Sequence, residues 1–122
     1  MFTIKHEILI VDDQPGICLL LKDVFTNEGY DVMLAHTGTE ALEKISEHSF
    51  DLIMLDYHLP ILSGHEILQQ MIKKKMIIPV ILMSGLIENI QADFSDENIT
   101  IEIVAKPFNL KEIIGLVKSM IN

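Results

Sequence analysis

Three carboxylates, a hydroxyl and an ammonium stand at the ends of short apolar runs along this chain. Asp12 and Asp13 follow Ile8-Leu9-Ile10-Val11, Asp56 follows Leu52-Ile53-Met54-Leu55, Ser84 follows Val80-Ile81-Leu82-Met83, and Lys106 follows Ile101-Glu102-Ile103-Val104-Ala105. If those runs are parallel strands, the polar groups meet beyond the carboxyl ends of the strands, where open α/β sheets bind ligands. Three carboxylates so placed repel one another, and the ordinary remedy is a hard divalent cation with oxygen ligands. Mg²⁺ suits the set best, because it takes one or two carboxylates and completes its shell with water and phosphate oxygens, and Mn²⁺ shares that preference. With the charge offset, a phosphoryl donor can approach Asp56, whose carboxylate can act as nucleophile and form an acyl phosphate. Lys106 could pair with the phosphoryl oxygens and the Ser84 hydroxyl could hydrogen-bond another. The chemistry these residues suggest is phosphoryl transfer to aspartate.

The elements that would position them alternate. Strands are expected at Ile8–Val11, Val32–Ala35, Leu52–Leu55, Val80–Met83 and Ile101–Val104, short and mostly apolar throughout, as strands covered by helices on both faces must be. The first helix is predicted from Pro15 to Glu28, with proline tolerated in the first turn and Gly29 as the stop. The second opens at Thr37, where Thr37-Gly38-Thr39-Glu40 has capping-box spacing. A third spans Gly64–Lys75, a fourth lies near Ile87–Phe94, and the last starts at Asn109 and carries Ile113, Ile114, Val117 and Ile121 on one face. Five strands alternating with five helices predict a doubly wound parallel sheet of strand order 2-1-3-4-5, a flavodoxin-like α/β fold.

Composition narrows the function classes. The 122 residues, 49% of them hydrophobic, are expected to form a single domain spanning 1–122. No apolar stretch approaches the roughly 18 residues that cross a bilayer, and the N-terminus lacks the order of a signal peptide, so a cytoplasmic protein is expected. A formal charge of −9 with nine Lys and no Arg argues against direct nucleic-acid binding. Lys73-Lys74-Lys75 reads as a solvated helix end at the negative pole of the macrodipole. The lone Cys18 excludes an internal disulfide and reads as a packed thiol. The seven methionines read as core filler, and the five histidines show no ligand spacing, although His58 flanks the pocket.

Taken together, Asp12-Asp13, Asp56 followed by Leu59-Pro60 and Gly64, Ser84-Gly85 and Ala105-Lys106-Pro107-Phe108 resemble the receiver domain of two-component response regulators over essentially the whole chain. The intervals of 43, 28 and 22 residues between Asp13, Asp56, Ser84 and Lys106 make the joint pattern specific. The resemblance implies that Asp56 is the phosphoacceptor, that Asp12, Asp13, Asp56 and the backbone carbonyl of His58 hold Mg²⁺, and that Ser84 and Lys106 contact the phosphoryl group. It also implies a cis Lys106-Pro107 bond. Two departures stand out. Ile103 occupies the position three before the lysine where an aromatic residue or histidine is usual, and the usual Gly-Ala before the fifth strand is missing. Both favour a carrier of phosphoryl groups over a conformational switch.

Within the family the chain is most similar to single-domain regulators of the sporulation-phosphorelay type, on Gln14, Gly16-Ile17, Val24-Phe25, Glu28-Gly29-Tyr30 and Lys106-Pro107-Phe108. That implies a receiver without an output domain, placed between a sensor histidine kinase and a downstream histidine phosphotransferase. It also implies a partner-contact patch of Gln14, Ile17, Leu20, Pro107 and Phe108. The continuous apolar run Ile17–Leu21 agrees, being wider than one core-facing stripe can use. A monomer is expected. A haloacid-dehalogenase-like phosphatase would want a second aspartate where His58 stands, and a flavodoxin-like cofactor binder would want a phosphate-cradling loop where Asp12-Asp13 repels phosphate. A stand-alone receiver acting as a protein-binding switch is the remaining alternative.

Overall fold

A computed structural model describes residues 5–85 and 99–121. Five parallel strands, β1 (Glu7–Val11), β2 (Asp31–Ala35), β3 (Leu52–Asp56), β4 (Val80–Ser84) and β5 (Ile101–Ala105), form one sheet in the order β2-β1-β3-β4-β5. The expected order is therefore present. β3 and β4 each run one residue further than expected, so that Asp56 and Ser84 are the last residues of their strands.

Strand alternation divides the core in two. Leu9, Val11, Ile53, Leu55 and Leu82 face α2 (Gly38–Glu47) and α3 (Gly64–Lys73), meeting Ala41, Ile45, Ile67 and Met71. Ile8, Ile10, Met54, Ile81 and Met83 face α1 (Pro15–Asn27) and α4 (Leu110–Ile121), meeting Cys18, Leu21, Phe25, Ile113 and Val117. The central strands are buried on both faces, which explains their unbroken apolar sequences.

The caps follow their side chains. Thr37 accepts the Glu40 N–H at 3.1 Å, and the Asn109 carboxamide oxygen accepts the Glu112 N–H at 3.2 Å. Glu40 pairs with Lys44 at 3.0 Å. Ser63 caps α3 in a full capping box with Glu66, its Oγ accepting the Glu66 N–H at 3.2 Å. Two helix ends differ from expectation. α3 stops at Lys73 because Lys75 adopts φ 57, a left-handed exit, and α1 stops at Asn27 with Glu28 as its C-cap. The predicted helix near Ile87–Phe94 lies outside the described residues, so four helices are seen among those described where five were expected. Lys73, Lys74 and Lys75 are exposed at the end of α3.

Gly64 locks α3 to the end of β3. A Cβ there would sit 2.5 Å from the Asp56 carbonyl oxygen and 2.8 Å from Tyr57 Cα, both backbone atoms that cannot rotate away, and its N–H already donates to the Tyr57 carbonyl at 3.1 Å. Gly64→Ala is expected to cost about 2 kcal/mol through overpacking, read as a lowered denaturant midpoint at unchanged slope.

Candidate functional site

Strand register brings the polar residues together. Asp12 follows β1, Asp56 ends β3, Ser84 ends β4 and Lys106 follows β5, with Asp56 opposite Met83 and Ser84 opposite Ala105. Carboxylate oxygens of Asp12, Asp13 and Asp56 all lie within 4.8 Å of one another. Asp12 is fully buried, Asp56 is 5% exposed, and Asp13 faces solvent.

Lys106 spans the cluster. Its ammonium lies 2.7 Å from Asp12 Oδ2 and 3.6 Å from Asp56 Oδ2. The Lys106 N–H donates to the Ser84 carbonyl at 2.9 Å, which ties the β5 exit to the end of β4, and the Lys106-Pro107 peptide is cis, as the family resemblance implies. Asp12 also accepts the Gln14 N–H at 2.9 Å. The N-cap of α1 is Gln14, without a side-chain cap bond, so the two adjacent carboxylates are not spent on capping that helix.

Burial raises the Asp56 pKa above the ordinary carboxylate range, with Asp12 adding to the effect, while the His58 N–H and Lys106 act against it. The folded state therefore holds the Asp56 proton more tightly than the unfolded chain does. The stability this contributes is complete below the unfolded carboxylate pKa and is lost as pH rises through the raised folded value. Asp56→Asn removes that loss. Without divalent cation, the variant is expected to melt several degrees above the wild type at neutral pH, with the gap closing on acidification. A variant that melts lower at neutral pH would contradict this.

The residues expected to form a partner-contact patch differ in exposure. Gln14 and Pro107 are exposed and Leu20 is 44% exposed, while Ile17 and Phe108 are half-buried against the α1–α4 side of the core. Leu19, at 63%, is more exposed than Leu20 yet lies outside the expected patch, because periodicity cannot say which residues of a continuous apolar run face out. Cys18 is the packed thiol expected, with burial pushing its pKa up to about 11 and Sγ 3.2 Å from the Asp12 carbonyl oxygen.

Two features had no clear sequence signal. The exposed His58 ring reaches back to Ser84, its Nε2 3.0 Å from Oγ, while the His58 N–H donates to Asp56 Oδ1 at 3.2 Å. Ile61, fully exposed, holds φ 67, a left-handed conformation that a β-branched residue rarely adopts. A cleft of about 540 Å³ opens beside these residues, lined by Asp13, His58, Leu59, Pro60 and Ser63 among others.

The residues fit a magnesium ion. The three clustered side chains offer only oxygen, the donor type that hard cations take, and Asp12 and Asp13 set like charges beside the buried Asp56.

Comparison with known proteins agrees with this arrangement. The family model of the response regulator receiver domain matches residues 8–118. Sporulation initiation phosphotransferase F of Bacillus subtilis is 40% identical over 114 residues, 93% of this chain and 92% of that protein. The alkaline phosphatase synthesis transcriptional regulatory protein PhoP of the same organism is 34% identical over 96% of this chain but only 49% of its own length, so the chain spans about half of that regulator. Among solved structures, the receiver domain of Francisella response regulator 1452 superposes with a TM-score of 0.86 at 30% identity, covering 95% of this chain and 96% of that one. The response regulator TrrA of Thermotoga maritima, solved in complex with Mg²⁺ and beryllofluoride, superposes at 0.83 with 36% identity, covering 94% and 98%. With the family matched over most of its length and the strand order and acidic cluster in place, the chain belongs to the response regulator receiver domains, which accept phosphoryl groups in two-component signalling.

Proposed function

We propose that this receiver is a phosphorelay carrier, taking a phosphoryl group from a kinase phosphohistidine onto Asp56 and passing it to a downstream histidine phosphotransferase, in signalling of the sporulation type. The observation that carries the reading is a buried Asp56 beside two further carboxylates and a bridging lysine, in a chain whose α1 leaves Leu19 and Leu20 exposed. The 40% identity to a phosphotransferase over 92% of that relative's length supports a carrier. In the transfer, the P–N bond of the donor phosphohistidine breaks, a P–O bond to an Asp56 carboxylate oxygen forms, and the imidazole keeps the electron pair. Lys106 supplies positive charge to the phosphoryl oxygens, and the Ser84 hydroxyl donates to one of them. Asp12, Asp13, Asp56 and the His58 carbonyl would hold Mg²⁺, which when bound offsets the carboxylate charge facing the incoming group.

Gln14, Ile17, Leu20, Pro107 and Phe108 form the proposed contact surface for the helical histidine proteins. None of the described helices is long and apolar enough to cross a membrane. We place this receiver domain in the cytoplasm as a monomer. Label transfer tests the proposal. Phosphate placed on a histidine phosphotransferase should move to this chain and return when fresh unphosphorylated histidine protein is added. Label that enters but never leaves would make the chain an end-point switch. Leu20→Asp is expected to slow transfer from the protein donor by roughly tenfold, the effect of one contact worth about 1.4 kcal/mol, while uptake from a small phosphoryl donor stays at the wild-type rate.

A further inference from the structure

β5 carries Ile103 three residues before Lys106, half-buried and packed on the α2–α3 side of the core, so this strand offers Ser84 no ring. The ring comes from the other side. His58 Nε2 lies 3.0 Å from Ser84 Oγ, and the backbone N–H of the same residue donates to Asp56 Oδ1 at 3.2 Å. One residue therefore touches both the carboxylate and the hydroxyl of the site. His58 is exposed, with its ring edge-on to Tyr57 at 5.1 Å between centroids and 86° between planes, so it can turn outward without disturbing the core.

We infer that His58, through an unprotonated Nε2, competes with a phosphoryl group on Asp56 for the hydrogen of the Ser84 hydroxyl, so that phosphorylation releases the ring toward the partner-facing rim. This rests on Asp56 as the phosphoacceptor. The physical reason is that a serine hydroxyl has one hydrogen to donate, and an anionic phosphoryl oxygen is a stronger acceptor than a neutral imidazole nitrogen. Once that hydrogen turns to the phosphoryl oxygen, Nε2 loses its donor and the ring exchanges it for water. His58 thus acts as a positioning residue that holds the Ser84 hydroxyl in the unphosphorylated protein.

Long-range ¹H–¹⁵N correlation of the His58 ring tests this directly. In metal-free wild type, Nε2 should read as unprotonated and hydrogen-bonded, and Ser84→Ala should move it to the value of a free ring nitrogen. Adding Mg²⁺ and beryllofluoride to wild type should produce the same move. His58→Ala should bind beryllofluoride between about twofold and tenfold more tightly, the range that a single lost hydrogen bond gives. His58→Gln, whose amide oxygen can accept the same hydrogen, should stay near the wild type. A protonated Nε2, a ring signal indifferent to Ser84→Ala, or equal beryllofluoride affinity in His58→Ala would each overturn the inference. If wild type takes up neither beryllofluoride nor a phosphoryl group, the Asp56 reading fails and the competition fails with it. Binding with an unmoved ring sinks the competition alone.

Discussion

Asp56→Asn is expected to abolish phosphoryl uptake from small donors and from histidine proteins alike. Intact mass should show a Mg²⁺-dependent, alkali-labile adduct on the wild type and none on the variant. The carboxamide offers no anionic oxygen to attack phosphorus, and neither clustered carboxylate takes its place: Asp12 is fully buried and held 2.7 Å from Lys106, while Asp13 is the solvent-facing member of the cluster. The substitution nevertheless leaves the fold intact, because it removes a charge that burial and Asp12 disfavour. Lost chemistry together with raised thermal stability separates a reacting group from a structural one. An adduct of undiminished yield on Asp56→Asn would remove this residue from the mechanism.

Lys106→Ala is expected to have the largest effect on stability. The Lys106 side chain is 19% exposed, and its partner carboxylate on Asp12 has no access to water. Deleting the ammonium strands a buried charge beside two like charges, a change that costs about 3 kcal/mol where one partner of a buried pair is removed. Melting should fall by about 10 °C for a domain of this size. Two measurements identify the cause. Adding Asp12→Asn to Lys106→Ala should recover part of the loss, since the stranded charge is then gone, and the cycle reads the coupling. Mg²⁺ should also stabilise Lys106→Ala more than it stabilises the wild type, because the cation then meets three uncompensated carboxylates. Strictly additive losses in the cycle would show that Lys106 acts through its methylene packing instead.

The locations of the strands and the type of chemistry were readable from local pattern alone. Apolar runs such as Leu52–Leu55 and Val80–Met83 admit few alternatives, because strands buried on both faces need no polar alternation. Thr37 and Asn109 announced their helices through caps, which act within four residues, and Ser63-Gly64-His65-Glu66 carries the same capping-box spacing. The residue types at the strand ends, three carboxylates with a hydroxyl and an ammonium, indicated phosphoryl transfer and a hard cation because few other tasks need that combination.

Tertiary structure decided what depends on distances between elements far apart in the chain. Lys106 reaches Asp12 across 94 residues of sequence, and His58 reaches Ser84 across 26. No local propensity encodes either contact, since each arises from strand register and the direction of a loop. The exposed faces of Leu19 and Leu20 were likewise set by how α1 lies on the sheet, which a continuous apolar run leaves open. What the sequence determined by itself was the set of chemical groups and the strands that carry them. Which groups touch, which carboxylate is buried with its pKa raised, and which ring holds the Ser84 hydroxyl followed only from packing, because burial and charge coupling depend on three-dimensional distance and not on order along the chain.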